Sequence, residues 1–266
     1  KHQKMGTRIY RMPVLATKPI AYWVNGDTGL KQTTNMAWAN KFLTAEEIAV
    51  IVPIAENLVD DIKVGIWDLV KPEIEEAIGV ALDLAVFFGI NKPASWPSDI
   101  VTAAVAAGNT VTQGTSAIDV ADDINNAMAA VEADGYRNNG FWIRSDVEGL
   151  LRGLRDSQKN FIFLSSDPGM TNTTFNGVIY GKRADTSMSG VFETQTGANQ
   201  VKLITGDWTQ GILGVRQDIQ VKMLDQAVLQ DSNGDIIFNL AQQDMVALRV
   251  TARFAFKVPN HVNRQR

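Results

Sequence analysis

The end of the chain alternates between apolar and polar positions without a break. The apolar positions are Val246, Leu248, Val250, Ala252, Phe254, Phe256 and Val258. The positions between them are Ala247, Arg249, Thr251, Arg253, Ala255 and Lys257. Successive side chains of a β-strand point to opposite faces, so this two-residue period predicts one long strand. We expect one face of that strand to be buried and the other to be basic.

The longest amphipathic helix is predicted over residues 68–88. Asp68 can cap its start, and Pro72 then falls in the first turn, where a missing N–H is tolerated. Its apolar positions recur at helical spacing and end at Gly89, a typical helix stop. They are Ile74, Ile78, Ala81, Ala85 and Phe88. If the helix instead starts near residue 62, Pro72 would kink it.

Further elements follow in an irregular order. A second amphipathic helix is capped by Asp119 and closed by Gly135, and a third begins at Asp146 and ends at Leu154. Short buried strands are predicted over 141–143 and 161–163. A hairpin is predicted from strands over 215–229 and 236–240, with an Asn-Gly pair in its turn over 231–235. Strands and helices lack a regular βαβ rhythm, which favours the α+β class over a doubly wound sheet.

The first fifth of the chain predicts an arm and a long hairpin. Residues 1–11 are rich in Lys and Arg and poor in apolar side chains, which is typical of an arm without its own core. Stretches rich in β-forming residues, 12–24 and 36–52, flank a glycine-rich turn cluster at 25–29. Two such stretches around a turn cluster predict a hairpin. No predicted helix lies near enough in sequence to cover it.

Composition excludes several classes of function. The formal net charge is −4, whereas a domain that grips DNA phosphates is usually basic. The chain has no cysteine, which excludes disulfides, thiolate catalysis and cysteine zinc sites. The uncharged run 100–118 is too polar in its second half to span a bilayer. We therefore expect no membrane association and neither sequence-independent nor sequence-specific DNA binding.

Candidate catalytic chemistry is sparse. Both histidines, His2 and His261, lie near the chain ends, whereas a catalytic base needs a rigid element. The acidic turn at 231–235 lacks the glycine and glutamate spacing of a calcium loop. We predict no catalytic, cofactor-binding or metal site, and we expect that the protein is not an enzyme. A small-molecule-binding or hydrolytic α+β enzyme is the alternative from another class, and it would be monomeric or form a small oligomer.

Four short motifs stand in a characteristic order. They are Leu154-Arg155-Asp156-Ser157, Gly206-Asp207, Gly214-Val215-Arg216 followed by Asp218-Ile219, and Gln243-Asp244-Met245 leading into the last strand. In this order they resemble the major capsid proteins of tailed bacteriophages. The resemblance covers residues 12–258. It would also explain a start at Lys1 by removal of an N-terminal scaffolding segment, with a trimmed sequence as the alternative.

The resemblance implies an architecture and a biological role. The expected fold is the α+β phage major capsid fold, with a long spine helix in the peripheral domain. Its expected parts are an N-terminal arm (1–19), an extended hairpin loop (20–52), a peripheral domain (53–92 and 244–260), an axial domain (93–243) and a C-terminal tail (261–266). Hexamers and pentamers would close an icosahedral shell around double-stranded DNA, assembled in the bacterial host cytoplasm. Portal, scaffold and decoration proteins are the implied partners. An encapsulin-like nanocompartment shell is the nearest alternative.

Candidate interface residues follow from this interpretation. Trp23 and Trp38 flank a hairpin without a core, and stranded aromatic residues often anchor interfaces. Arg249 and Arg253 lie on the polar face of the last strand and form either a solvated face or pairs with a neighbouring subunit. Glu73 and Glu76 are candidate acceptors on that neighbour, together with Glu75, Asp60 and Asp61.

Lys31, at the hairpin tip, raises the question of covalent linkage. Some relatives join this loop to a neighbour through a Lys–Asn isopeptide bond, which requires a nearby carboxylate as proton acceptor. In the corresponding places this chain has Gln242 and, near the Asn position, Asp235. We therefore predict a shell without covalent cross-links, with Asn239 and Asp244 as the residues that keep the alternative open.

Overall fold

Helices and strands follow one another irregularly, which confirms the predicted α+β class. The computed structural model describes residues 1–24, 26, 29–61, 66–154, 158–159, 176–195, 200–231 and 233–259. Its strands are β1 (His2–Lys4), β2 (Ile9–Thr17), β3 (Ala37–Thr44), β4 (Glu46–Ala55), β5 (Gly140–Arg144), β6 (Asn176–Ile179), β7 (Lys182–Ser187), β8 (Leu203–Gly206), β9 (Ile212–Leu224), β10 (Val228–Gln230), β11 (Ile236–Asn239) and β12 (Met245–Lys257). Its helices are α1 (Glu56–Asp61), α2 (Ile66–Asp83), which continues as a π-helix (Leu84–Phe88), α3 (Ile100–Ala106), α4 (Ala117–Ala133) and α5 (Ser145–Gly153). Among these described helices, none is both long and apolar enough to cross a bilayer.

The first sheet has the strand order β1-β9-β12-β4. β12 runs antiparallel to β9 and β4, whereas β1 runs parallel to β9. Helix α2 lies on one face of this sheet, where Ile74 and Ile78 pack against Leu248 and Val250. The predicted apolar face of the last strand and the predicted helix stripe therefore meet in one core.

Helix α2 extends further toward the N-terminus than the prediction. It runs through Pro72, and Asp68 lies inside it, so the prediction of Asp68 as N-cap is wrong. A proline inside a helix removes one hydrogen bond, and the packing of α2 against the sheet outweighs that loss. Residues 62–65, where the alternative start falls, lie outside the described residues. The helix stops at Gly89, as predicted, with φ of 68°.

The opposite face of β12 is buried at one end. Ala255 is fully buried there beneath Met5 and Leu43. The N-terminal residues reach this place because β1 pairs with β9 and the N–H of Met5 donates to the carbonyl of Val215 at 2.9 Å. The prediction of an arm without a core over residues 1–11 is therefore wrong, and the second face of β12, predicted to be basic, is basic only in part.

A second sheet, with the order β6-β7-β5-β8, forms the other packing unit. Val120 and Ile124 of α4 and Leu151 of α5 bury its β5 side chains Phe141 and Ile143. β5 confirms the strand predicted over 141–143. The strand predicted over 161–163 lies outside the described residues.

The starts of α4 and α5 differ from the predicted caps. Ser116 caps α4 by accepting from the N–H of Asp119, and the Asp119 carboxylate accepts from the N–H of Ser116, each at 3.1 Å. α5 follows Arg144, so Asp146 lies in its first turn. The Arg144 guanidinium donates to Asp146 at 2.6 Å and lowers the pKa of that carboxyl. Both predicted caps, Asp119 and Asp146, are therefore wrong, because residues before them occupy the cap positions.

The turn at 231–235 joins β10 and β11, as predicted. The Asp231 carboxylate accepts from the backbone N–H groups of Asp235 and Asn233, which lowers its pKa. β9 does not belong to this hairpin. It pairs with β12 in the first sheet, although the sequence places it in the axial range 93–243. The division of the chain into named domains otherwise stays a prediction.

Aromatic rings join the π-helix to the second sheet. Phe87 packs against Trp142 of β5 with ring centroids 4.3 Å apart, and Phe88 packs edge-on against Phe192 at 5.6 Å. Trp208 also packs edge-on against Phe87. Because α2 packs on the first sheet and its π-helix packs on the second, this element connects the two units.

Candidate interaction surfaces

β2 and β3 form a two-stranded antiparallel ribbon. Their register runs from Ile9 opposite Thr44 to Thr17 opposite Ala37. An antiparallel strand pair is present as predicted, but β2 lies within the expected arm (1–19) instead of the expected hairpin loop (20–52), and β3 ends at Thr44. Residues 46–55, expected in the hairpin up to residue 52, form β4 and pair with β12.

The ribbon and the segment that continues from β2 expose large apolar side chains. Trp23 is 100% exposed, Trp38 60% and Ile20 74%. In the part of the chain that the structure describes, no hydrophobic core cluster includes a residue between 13 and 42. Lys31 is exposed at the same end, where the Tyr22 hydroxyl donates to the carbonyl of Gln32. The ribbon therefore projects from the subunit without a core of its own.

The base of the ribbon is anchored on the first sheet. Leu43 lies with Met5 and Ala255 in the small core on the face opposite α2. Gly214 of β9 lies beneath it: a Cβ on this glycine would lie 2.6 Å from the Leu43 Cδ2 and 2.6 Å from the Met5 sulfur. The absence of a side chain at position 214 thus lets the ribbon base and the N-terminal segment approach β9.

Charged side chains surround this anchor. Arg8 pairs with Glu46 at 3.1 Å, and Arg253 pairs with Glu47 at 2.6 Å. Ser95 donates to Glu46 at 2.8 Å. The two ion pairs and Arg216 line a cavity of about 280 Å³. Arg253, a predicted interface residue, thus has a carboxylate partner on its own chain, and any further pairing with a neighbour stays a prediction.

Arg249 occupies a different electrostatic environment. On β12 it stands directly opposite Lys222 of β9, so two cations lie side by side. Like charges directly opposite each other destabilise a sheet. Within the described ranges, neither side chain has an ion-pair partner. Arg249 and Lys222 therefore form a basic spot on the sheet face opposite α2.

The candidate acceptors lie on the other side of the sheet. Glu73, Glu75 and Glu76 are exposed on α2, whereas Arg249 faces away from that helix. Within one subunit the predicted partners are therefore not brought together. The side chains of Asp60 and Asp61 lie outside the described part.

Two of the residues at the positions compared for covalent linkage, Asn239 and Gln242, are hydrogen-bonded to each other. The side-chain amide of Asn239 donates to the Gln242 carbonyl oxygen at 2.8 Å, and the N–H of Asn239 donates to the Gln243 side chain at 3.1 Å. Asp244 has φ of 49°, a left-handed conformation just before β12. This arrangement is explained by the turn into β12.

The sequence pattern did not indicate that Asp83 is half-buried. Asp83 ends α2 where the π-helix begins, and no described group bonds its carboxylate. Burial raises the pKa of Asp83. The sequence feature that could have revealed it is a single acid inside the otherwise apolar run 80–88.

Comparison with known proteins adds to this geometry. The family model described as the phage capsid family matches residues 3–261. The major capsid protein of Staphylococcus phage 80alpha is 27% identical over 265 residues, which cover 97% of this chain and 74% of that protein. A solved chain from Microbacterium phage Oxtober96 is 39% identical with a TM-score of 0.80, covering 97% of this chain and 82% of that one. A solved chain from Mycobacterium phage Adephagia is 32% identical with a TM-score of 0.79, covering 97% and 81%.

Proposed function

The chain belongs to the phage capsid family and is a major capsid protein, and from this premise we propose how its copies build a head. Hexamers and pentamers close an icosahedral shell around double-stranded DNA, and each subunit lays its β2–β3 ribbon on a neighbouring subunit. The function is structural and depends on contacts between copies rather than on catalysis.

The exposed ribbon is the observation that carries this proposal. A two-stranded hairpin is at best marginally stable in water by itself, and this one exposes Trp23, Trp38 and Ile20. Apolar surface of this kind marks a binding surface. Because the described ribbon packs on its own chain only at its base, through Leu43 and Met12, a neighbouring copy is the surface that stabilises the rest of it.

Charge separation supports contacts between copies. The acidic face of α2 and the basic spot at Arg249 lie on opposite sides of the first sheet, so they can pair only between subunits. In this arrangement Glu73 and Glu76 of one subunit accept from Arg249 of another. A net charge of −4 suits a shell that encloses DNA without gripping it, because DNA binding through phosphates needs basic surfaces.

The subunit acts in the virion, after assembly in the bacterial host cytoplasm with portal, scaffold and decoration proteins as partners. We propose a shell closed without covalent links, because Gln242 and Asp235 stand where the isopeptide chemistry would need a carboxylate and an amide. Mature particles boiled in detergent then give a single band at the subunit mass of 29.1 kDa. A ladder of multiples would contradict this part of the proposal.

Sedimentation velocity of the purified protein tests the proposed function. Capsomers or shells sediment far faster than a 29.1 kDa monomer, and particles formed in the host protect DNA from added nuclease. A monomer at high concentration and physiological salt would contradict the proposal. Particles filled with a protein cargo instead of DNA would favour the encapsulin-like alternative.

A further inference from the structure

The hydrogen-bond pattern of the ribbon shows which main-chain groups point outward. The N–H of Ala45 donates to the carbonyl of Arg8 at 2.9 Å, and these two residues continue the register in which Ile9 faces Thr44. Directly opposed residues alternate between bonded and non-bonded pairs in an antiparallel ladder. Counting from this bonded pair, Pro13 and Asn40 form a non-bonded pair, so their main-chain groups face away from the ribbon.

The two outer edges of the ribbon therefore differ. The β2 edge carries Pro13, which has no N–H to offer and is typical of a blocked edge. The β3 edge presents the N–H groups of Trp38, Asn40 and Phe42. In the part of the chain that the structure describes, β3 pairs with β2 alone. The free part of this edge ends at Thr44, whose carbonyl accepts a hydrogen bond from the Trp96 indole at 3.2 Å.

A segment suited to this edge lies beyond the end of β2. Residues 18–24 are described but form no strand. Their sequence alternates Ile20, Tyr22 and Val24 with Ala21 and Trp23, residues that mostly favour β-strands. In the subunit this segment continues from the end of β2 and is not paired with the β3 edge. A strand-forming segment outside the described sheets and a strand edge without a sheet partner are therefore two separate surfaces of the subunit.

We propose that the β3 edge binds residues 18–24 of a second copy as a third strand. This inference rests on the proposed function and adds the bonding mode to it. Strand addition supplies main-chain hydrogen bonds for affinity and alternate side chains for specificity. The edge and the segment are different surfaces, so each subunit offers one to each of two neighbours. Such a heterologous contact closes into rings when the rotation between subunits allows it.

A matched pair of proline variants tests the open edge. Arg11 donates to the Asn40 side chain at 2.8 Å, so Asn40→Pro and Arg11→Pro both lose this bond. Only Asn40→Pro removes an outward N–H from β3, whereas Arg11→Pro changes the edge that Pro13 already blocks. We expect Asn40→Pro to lower the yield of assembled particles at least tenfold. Arg11→Pro and Asn40→Ala assemble as the unaltered chain does, and all isolated subunits melt alike.

The result for Asn40→Pro separates this inference from the proposed function. Normal assembly of Asn40→Pro overturns strand addition at β3 and leaves the shell proposal standing. Equal failure of Arg11→Pro also overturns it, because the two edges would then be equivalent. Failure of the unaltered chain to assemble contradicts the proposed function itself.

Introduced cysteines test the identity of the added strand. The chain has no cysteine of its own, so Asn40→Cys can be combined with a cysteine at position 21, 22 or 23. In assembled particles under oxidising conditions, at least one combination gives disulfide-linked multimers, and Asn40→Cys alone does not. Absence of multimers in all three combinations overturns the assignment of 18–24. Multimers from Asn40→Cys alone would show two β3 edges paired with each other and would overturn it as well.

Discussion

The sulfur of Met5 lies 2.6 Å from the point that a Cβ on Gly214 would occupy. This relationship joins the N-terminal segment to β9 of the first sheet, next to Leu43 at the base of the ribbon. Glycine is favoured here by close approach, because any side chain would force Met5 and Leu43 to shift. The contact thus anchors the projecting ribbon to the rest of the subunit.

Gly214→Ala is expected to destabilise the subunit. The added methyl group would also lie 3.1 Å from the Ala255 Cβ, and overpacking of this kind typically costs about 1–3 kcal/mol. Thermal unfolding of the isolated subunit measures the effect. Gly206→Ala is the matched control, because a Cβ there meets nothing within 4 Å. Equal melting temperatures for the two variants would show that Met5 and Leu43 move aside freely.

Deletion of residues 25–32, closed by a short turn, is expected to separate folding from assembly. The ribbon tip contributes no residue to the core clusters of the described chain, so thermal unfolding of the isolated subunit stays nearly unchanged. Shell formation, followed by light scattering, is abolished or misdirected. A large loss of subunit stability would instead show that the ribbon packs on its own chain.

Charge reversal at Arg249 is expected to weaken assembly in a salt-dependent way. Arg249→Glu places an acid opposite Lys222 and removes the basic spot, while exposed ion pairs contribute only about 0–1 kcal/mol each. A shell repeats the contact many times, so light scattering at low salt detects the loss, and added salt reduces the difference. In Arg253→Glu the broken pair with Glu47 lies within one chain, so its effect on assembly is smaller. Unaltered assembly of Arg249→Glu at low salt would assign Arg249 to a solvated face.

The difference in stability between the unaltered subunit and Asp83→Asn is expected to depend on pH. Burial raises the pKa of Asp83 in the folded subunit. The charged form is therefore less favourable in the folded subunit than in the unfolded chain, where an Asp has a pKa of about 3.9. Asp83→Asn therefore raises the melting temperature at pH 7, and the two curves converge as pH falls through the folded pKa. Asp146→Asn is the control of opposite sign. The pKa of Asp146 is lowered by Arg144, so this variant is less stable at pH 7 and the loss disappears in acid below the usual Asp range. If both variants changed the melting temperature in the same direction at pH 7, the opposite pKa shifts assigned to Asp83 and Asp146 would be contradicted.

Periodicity in the sequence explains which elements could be predicted. β12 and α2 carry long regular patterns, and their packing through Leu248 and Ile74 follows from those patterns. Met5 could not be recognised, because a single apolar residue in a basic segment has no period. The pairing of Arg253 with Glu47 depends on the register of two strands that are distant in sequence. The π-helix and the burial of Asp83 likewise depend on packing that local propensity does not encode.

A single-particle reconstruction of assembled particles tests the central claim most directly. We expect a closed icosahedral shell in which the β2–β3 ribbon of each subunit lies across a neighbouring subunit. Particles without such a shell, or a shell in which each ribbon folds back on its own subunit, would contradict the account.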